Sequence, residues 1–292
     1  GEIEPTVYDK EATIQTLSND NGPAFTFSLR DNIFYKGRSS VSNGSFQFEF
    51  IVPKDISYQE GNGKVFYYGV ADNTDAQGSN DQFAVGGTAA DAEDDTAPPT
   101  ISLFLDSESF VDGGITNESP VLIANIFDEF GINTVGNGIG HDITAVLDGD
   151  VSSPFVLNDY FELDLDSYQK GRVRFEFKDL AEGEHTLRFK VWDIYNNSAV
   201  KEINFNVELQ SELSLDNVVN YPNPFTTNTA FYFDHNLPNT DLEVLIQIFT
   251  VSGKLIKTIS QLINTSGFRN EPIAWNGLDD YGDNIGRGVY IY

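Results

Sequence analysis

The chain has 292 residues, 45 acidic against 17 basic side chains, a net charge of −28, and neither cysteine nor methionine. Those counts exclude a disulfide framework, a cysteine-ligated zinc and a thiolate nucleophile. They also make nucleic acid an unfavourable partner, since phosphates are held by clustered Lys and Arg. With 40% hydrophobic and 13% aromatic residues there is enough apolar surface for two or three packed domains, and wholesale disorder is not expected. The longest apolar runs, Phe46 to Pro53 and Leu242 to Val251, are too short to span a bilayer as a helix. The start, Gly-Glu-Ile-Glu, has no signal-peptide character, and the missing Met fits a fragment of something longer.

In chain order, short alternating runs bounded by Gly, Asn, Asp and Pro recur, and no helical stripe persists, so the fold class is all-β. Ile33 to Val41 is expected to pair with Phe46-Gln47-Phe48-Glu49-Phe50 through a tight Asn43-Gly44 turn. The three phenylalanines should share one face of their strand. Residues 86 to 99 contain no large apolar side chain and end in Pro98-Pro99, which reads as an acidic linker. Arg172 to Phe177 and Leu187 to Trp192 alternate again around the turn-rich Ala181 to Glu184, which predicts a second hairpin. The strand Ile203 to Leu209 is followed by a softer boundary at Gln210 to Asp216. Three consecutive β-sandwiches are therefore expected, at 1–95, 96–210 and 211–292. Their net charges of −10, −13 and −5 make the acidity a property of the whole surface.

Side chains that could carry chemistry are few. His185 begins a strand, His235 sits in the turn-like Phe233-Asp234-His235-Asn236, and His141 follows the Gly-rich Gly136 to Gly140. No Gly-x-Ser-x-Gly elbow accompanies them, so no catalytic residue is assigned. Calcium takes oxygen ligands, and strand-end Asp and Asn supply them. The candidates are Asp94, Asp95, Asp193 with Asn196 and Asn197, and Asp279, Asp280 and Asp283. The competing reading is that these residues close turns by bonding their own backbone. Trp192, alternating with Arg188 and Lys190, is expected to lie in or beside the core.

Three sets of residues carry a family resemblance. Asp95-Thr96-Ala97-Pro98-Pro99, Gly183-Glu184-His185-Thr186-Leu187, Val191-Trp192-Asp193-Ile194-Tyr195-Asn196-Asn197 and Ile203 to Val207 resemble bacterial immunoglobulin-like modules of surface proteins, which are usually spacers. Tyr221-Pro222-Asn223-Pro224-Phe225, Ile246 to Lys254 with Gly253, Ile273-Ala274-Trp275-Asn276-Gly277-Leu278-Asp279-Asp280-Tyr281-Gly282 and Ile285 to Tyr292 with Gly288 and Tyr290 resemble the FlgD-like C-terminal domain of type IX secretion in Bacteroidota. As punctuation, Pro222 and Pro224 should hold the lead-in extended, Gly253 should close a hairpin, Trp275 should plug the sandwich, and Gly282 and Gly288 should permit tight turns.

Ile139 to Gly149, Asn158-Asp159-Tyr160-Phe161 and Phe34 to Ile56 are similar to the C-terminal half of the gingipain-like sortases of that system. The resemblance spans all 292 residues. It implies an upstream cysteine endopeptidase domain that removes C-terminal signals from cargo and attaches the new ends to anionic lipopolysaccharide. It also implies a cell-surface location on the outer membrane, held by the β-barrel protein PorV within the attachment complex. In the family the chain runs on past the position of Tyr292 into a further strand. Asp95-Thr96-Ala97 matches the phylum's short O-glycosylation signal, with Thr96 as acceptor. A calcium-dependent adhesin or glycan-binding stalk is the alternative reading.

Overall fold

The computed structural model describes residues 1–19, 22–71, 74–89, 93–134, 140–208, 213 and 215–292. The fold is all-β apart from one short 3-10 turn at Asn158–Tyr160. Residues 90–92 of the predicted linker, most of Gly136 to Gly140, Leu209 and most of the boundary at 210 to 216 lie outside the described residues.

The first segment carries β1 (Glu2–Tyr8), β2 (Ala12–Gln15), β3 (Thr26–Leu29), β4 (Ile33–Lys36), β5 (Ser39–Ser40), β6 (Gly61–Asn62), β7 (Lys64–Ala71), β8 (Thr74–Asn80) and β9 (Ala84–Val85). Its main sheet runs β4-β1-β7-β8, with β5 also on β1. The middle segment carries β10 (Thr100–Leu105), β11 (Gly114–Thr116), β12 (Val121–Phe127), β13 (Thr144–Leu147), β14 (Phe155–Val156), β15 (Phe161–Leu163), β16 (Lys170–Glu176), β17 (Gly183–Trp192) and β18 (Ser198–Val207). They form two sheets, β10-β12-β16-β15 and β11-β18-β17-β13-β14. The last carries β19 (Leu215–Tyr221), β20 (Thr229–His235), β21 (Asp241–Thr250), β22 (Leu255–Asn264), β23 (Ile273–Trp275) and β24 (Tyr290–Ile291), in sheets β19-β20-β23 and β22-β21-β24.

By spatial proximity the chain groups into two compact units, 1–103 with 124–175 and 187–202, and 104–123 with 176–186 and 203–292. The core of the first unit includes Val7, Phe34, Val65, Ile143, Val173, Leu187, Phe189 and Val191, all buried. Alternation explains the last three: Leu187, Phe189 and Val191 face inward while Arg188 between them stays outside. In the second unit Phe231, Phe233, Ile248, Ile263, Ile273 and Trp275 form one buried cluster.

Two predicted pairings are corrected. Asn43 and Gly44 do take positive φ angles of 52° and 77°, and Ser42 and Ser45 exchange backbone bonds of 3.0 Å. The ladder stops there, because β4 and β5 give their hydrogen bonds to β1. Residues 46–50 are instead held by ring stacking, Tyr35 on Phe50 at 4.4 Å and on Phe48 at 5.7 Å, and by Ser39 Oγ donating to the Gln47 carbonyl at 2.6 Å. The three phenylalanines do share a face, stacked 6.3–6.5 Å apart. The second hairpin is not formed either. Both strands exist as β16 and β17, but they belong to different sheets. Each strand has its own apolar face to bury, and the connection after β16 carries the chain from one sheet to the other.

One edge of the last sandwich is open. β24 pairs only with Phe249 and Thr250, so among the described strands residues 241–248 of β21 are paired by β22 alone. Their outer backbone groups are available to a further strand.

Candidate functional site

Three carboxylates meet in the first unit. Asp193 follows β17 directly and closes its own loop: its Oδ1 accepts the Tyr195 and Asn197 backbone N–H groups at 2.8 Å each, and its Oδ2 accepts Asn197 Nδ2 at 2.8 Å. Asp128 follows β12, and its Oδ1 accepts the N–H groups of Phe130 at 2.9 Å and Gly131 at 3.0 Å. Asp95 accepts the Ala97 N–H at 2.9 Å, and its other oxygen lies 3.5 Å from Asn197 Nδ2. One oxygen from each of Asp95, Asp128 and Asp193 lies within 4.8 Å of the others. Asp193 and Asp128 are buried.

Three such groups cannot all carry full charge cheaply out of water. Burial pushes the Asp128 carboxyl up to about 6, against the pull of its two backbone N–H bonds, and the neighbouring Asp193 and Asp95 raise it further. Burial raises Asp193 as well, with Asp95 adding. Protonation relieves the crowding, and so would a hard cation, for which three carboxylate oxygens are a partial ligand set. Asp95 and Asp193 were legible as candidates; Asp128 was not. The signal it left, a strand-end Asp three residues before Gly131, is common to ordinary turns.

The other calcium candidates lie elsewhere. Asp94 is exposed and outside this group. Asp279 Oδ1 accepts the N–H groups of Tyr281 and Asp283 at 2.9 Å, and Asp280 accepts the Thr258 N–H at 3.2 Å and faces Lys257 Nζ at 3.3 Å. Asp279, Asp280 and Asp283 do not gather into a second cluster among the described residues. Asn196, expected beside Asp193 as a ligand, turns to Asp55 at 3.0 Å. Asp55 also accepts Asn133 Nδ2 at 3.1 Å and bonds His141 Nδ1. Burial alone would raise the Asp55 carboxyl, but bonds from His141, Asn196 and Asn133 outweigh it and hold it below the usual range. The His141 ring packs on Trp192 at 4.4 Å, and Lys190 Nζ lies 4.0 Å from the same indole. Trp192 shares the outward face of β17 with Arg188 and Lys190 and is half-buried because His141 and Lys190 cover its ring. Beside these groups opens a largely apolar cleft of about 970 Å³ lined by Phe34, Phe50, Phe83, Phe130 and Tyr195.

In the second unit the motif residues serve the last sandwich. Trp275 is 5% exposed and donates from Nε1 to the Leu278 carbonyl at 2.9 Å. Phe225 meets it edge-on at 5.4 Å and Tyr290 at 6.5 Å. Gly253, at φ 84°, closes the β21–β22 turn by bonding the Thr250 carbonyl at 2.9 Å. Gly277 and Gly282 have positive φ, whereas Gly288 does not, so the tight turn expected at Gly288 needs no glycine. Pro222 and Pro224 do not run extended. The backbone bends there, tied by Thr229 Oγ1 to the Pro222 carbonyl at 2.9 Å and by Asn223 Nδ2 to Asn220 Oδ1 at 3.2 Å. His235 is also corrected: it is the last residue of β20 and fully buried, not part of a turn. Tyr221, Tyr281 and Val289 are exposed.

No family model matches the sequence, and no curated protein matches it. Among solved structures it is similar to dimeric latent PorU from Porphyromonas gingivalis, at 32% identity over 99% of this chain and 27% of that one, with a TM-score of 0.40. The chain spans about a quarter of that protein's length.

Proposed function

We propose that this chain is the noncatalytic C-terminal scaffold and docking region of a PorU-type sortase of type IX secretion. The observation that carries the reading is the ordered motif series from Tyr221 to Tyr290, whose members Phe225, Trp275 and Tyr290 gather around one core, in a chain without cysteine. On this reading the peptidase lies upstream in the same parent protein and supplies the cleavage and lipopolysaccharide attachment. The first two sandwiches brace it, and the third docks on PorV at the cell surface. The open edge of β21 and the exposed Tyr221, Tyr281 and Val289 support a docking role, because unpaired strand groups and exposed aromatic and aliphatic side chains both recruit partners. Co-purification with PorV tests it: the 292-residue chain should be retained by immobilised PorV, and failure to be retained at micromolar concentration counts against docking.

Thr96 is exposed while Asp95 beside it is half-buried. An O-glycan on Thr96 is therefore sterically permitted. The chain purified from a type IX-secreting host should be heavier than its sequence mass, and Thr96→Ala should restore that mass; equal masses for both would remove the glycan from the account.

The gathering of Asp95, Asp128 and Asp193 favours a second reading, a calcium-dependent adhesin or stalk. Its test is a calcium-dependent rise in melting temperature.

A further inference from the structure

His235 sits at the joint between the second and third sandwiches within the second unit. β11 lies against β19 and β20, and a side chain on Gly267 would meet Ser107 Oγ at 2.7 Å, so the two sandwiches are in close contact there. His235 ends β20, is 0% exposed, and has its backbone N–H bonded to the Phe268 carbonyl at 2.8 Å. Its Nδ1 accepts the Leu237 backbone N–H at 3.3 Å. The neutral ring must then carry its proton on Nε2, which makes no hydrogen bond. The seat holds one tautomer and has no acceptor for a second proton. Burial lowers the tendency of this imidazole to protonate, and a lone pair already engaged by the Leu237 N–H disfavours proton uptake as well.

The charged groups on the surrounding elements are Asp234 on β20, Asp216 on β19, Arg269 in the 265–270 loop, Asp241 at the start of β21 and Asp106 ahead of β11. Arg269 lies 3.2 Å from Asp234, Asn217 also bonds Asp234, and Asp106 is occupied by Thr116 Oγ1 at 2.7 Å and the Val121 N–H at 2.9 Å.

We propose that His235 is a proton-triggered latch at this joint: proton uptake at Nδ1 sets two N–H groups against each other and expels the ring, loosening β19 and β20 against β11. No bond other than N–H is made or broken, and the proton comes from solvent. The sign follows from linkage. A histidine held neutral in the folded state contributes stability that is complete above its ordinary pKa of 6.5 and is lost as pH falls below it. Asp234, raised by burial, works in the opposite direction, so the latch is isolated by difference between variants.

The test uses the 292-residue chain with Trp192→Phe, which leaves Trp275 in the third sandwich as the fluorophore. Between pH 7.5 and pH 5.5 its melting midpoint is expected to fall by at least about 4 °C relative to that of the same chain carrying His235→Gln, whose side-chain oxygen can still accept the Leu237 N–H and which keeps Asp234. An equal change of midpoint in the two chains overturns the proposal. If His235→Gln does not fold, the imidazole proton resonances of the unsubstituted chain decide, assigned by elimination with His141→Gln and His185→Gln. The latch requires the His235 ring to stay neutral well below pH 6.5 until the joint opens, and titration at the ordinary value overturns it.

Discussion

Replacing Trp275 by Ala is expected to lower the melting temperature of the last sandwich by more than about 12 °C. The side chain is 5% exposed and packs with Phe231, Phe233, Ile248, Ile263 and Ile273, while Phe225 and Tyr290 close over it. Truncating a buried aromatic of this size costs about 3–5 kcal/mol, because lost transfer energy adds to the cavity left behind. In a small domain each kcal/mol shifts the midpoint by about 4–8 °C. The substitution also removes the donor to the Leu278 carbonyl, which orders the 276–284 turns. Trp275→Phe should cost less, since it keeps ring contact and loses only the hydrogen bond and part of the volume. Calorimetry should show the melting loss in the second unit, with Val173, Leu187, Phe189 and the rest of the first unit's core melting as before. A change under about 4 °C in Trp275→Ala would mean that the indole does not hold this core.

The second large effect concerns Asp95, Asp128 and Asp193. Asp128 is raised from an ordinary 3.8 to about 6, so the folded state holds a proton that the unfolded state has released. Stability from this group is therefore present at low pH and lost as pH rises through about 6. Asp128→Asn should flatten that part of the pH profile and raise the midpoint at pH 7.5 in chelator, by removing one of three crowded charges. If the site takes calcium, the ion at a hundred times its dissociation constant adds about 2.7 kcal/mol to the unsubstituted chain. Asp128→Asn should lose that increment. Melting curves in calcium and in chelator that coincide would dispose of the calcium-dependent reading while leaving the docking reading untouched.

What could be read from sequence was local. Asn43-Gly44 and Gly253 announced their turns because positive φ is set by the residue itself. The alternation of Leu187 to Trp192 marked a strand, because strand periodicity needs no partner, but the core position was expected of Trp192 while Leu187, Phe189 and Val191 hold the buried face. Pairing was harder. The β16 and β17 segments look like a hairpin until the sandwich asks each to cover a different sheet. Long-range polar contacts left almost no trace: Asp55 and His141 are 86 positions apart, and neither has a neighbour in sequence that predicts the other. Asp128 was missed for a related reason, since a strand-end Asp before Gly reads as a turn until folding brings Asp95 and Asp193 beside it. His235 shows the reverse error, where Asp-His-Asn composition suggested a turn and the strand simply ran on to include it.

Docking by the third sandwich is tested most directly by one equilibrium titration. Purified PorV in detergent is titrated with the 292-residue chain and with its Trp275→Ala variant. The account predicts saturable binding with a dissociation constant of about 1 μM or tighter, roughly −8 kcal/mol, and its loss in the variant. No binding by the unsubstituted chain at about 10 μM, or undiminished binding by a variant whose third sandwich has melted, would contradict it.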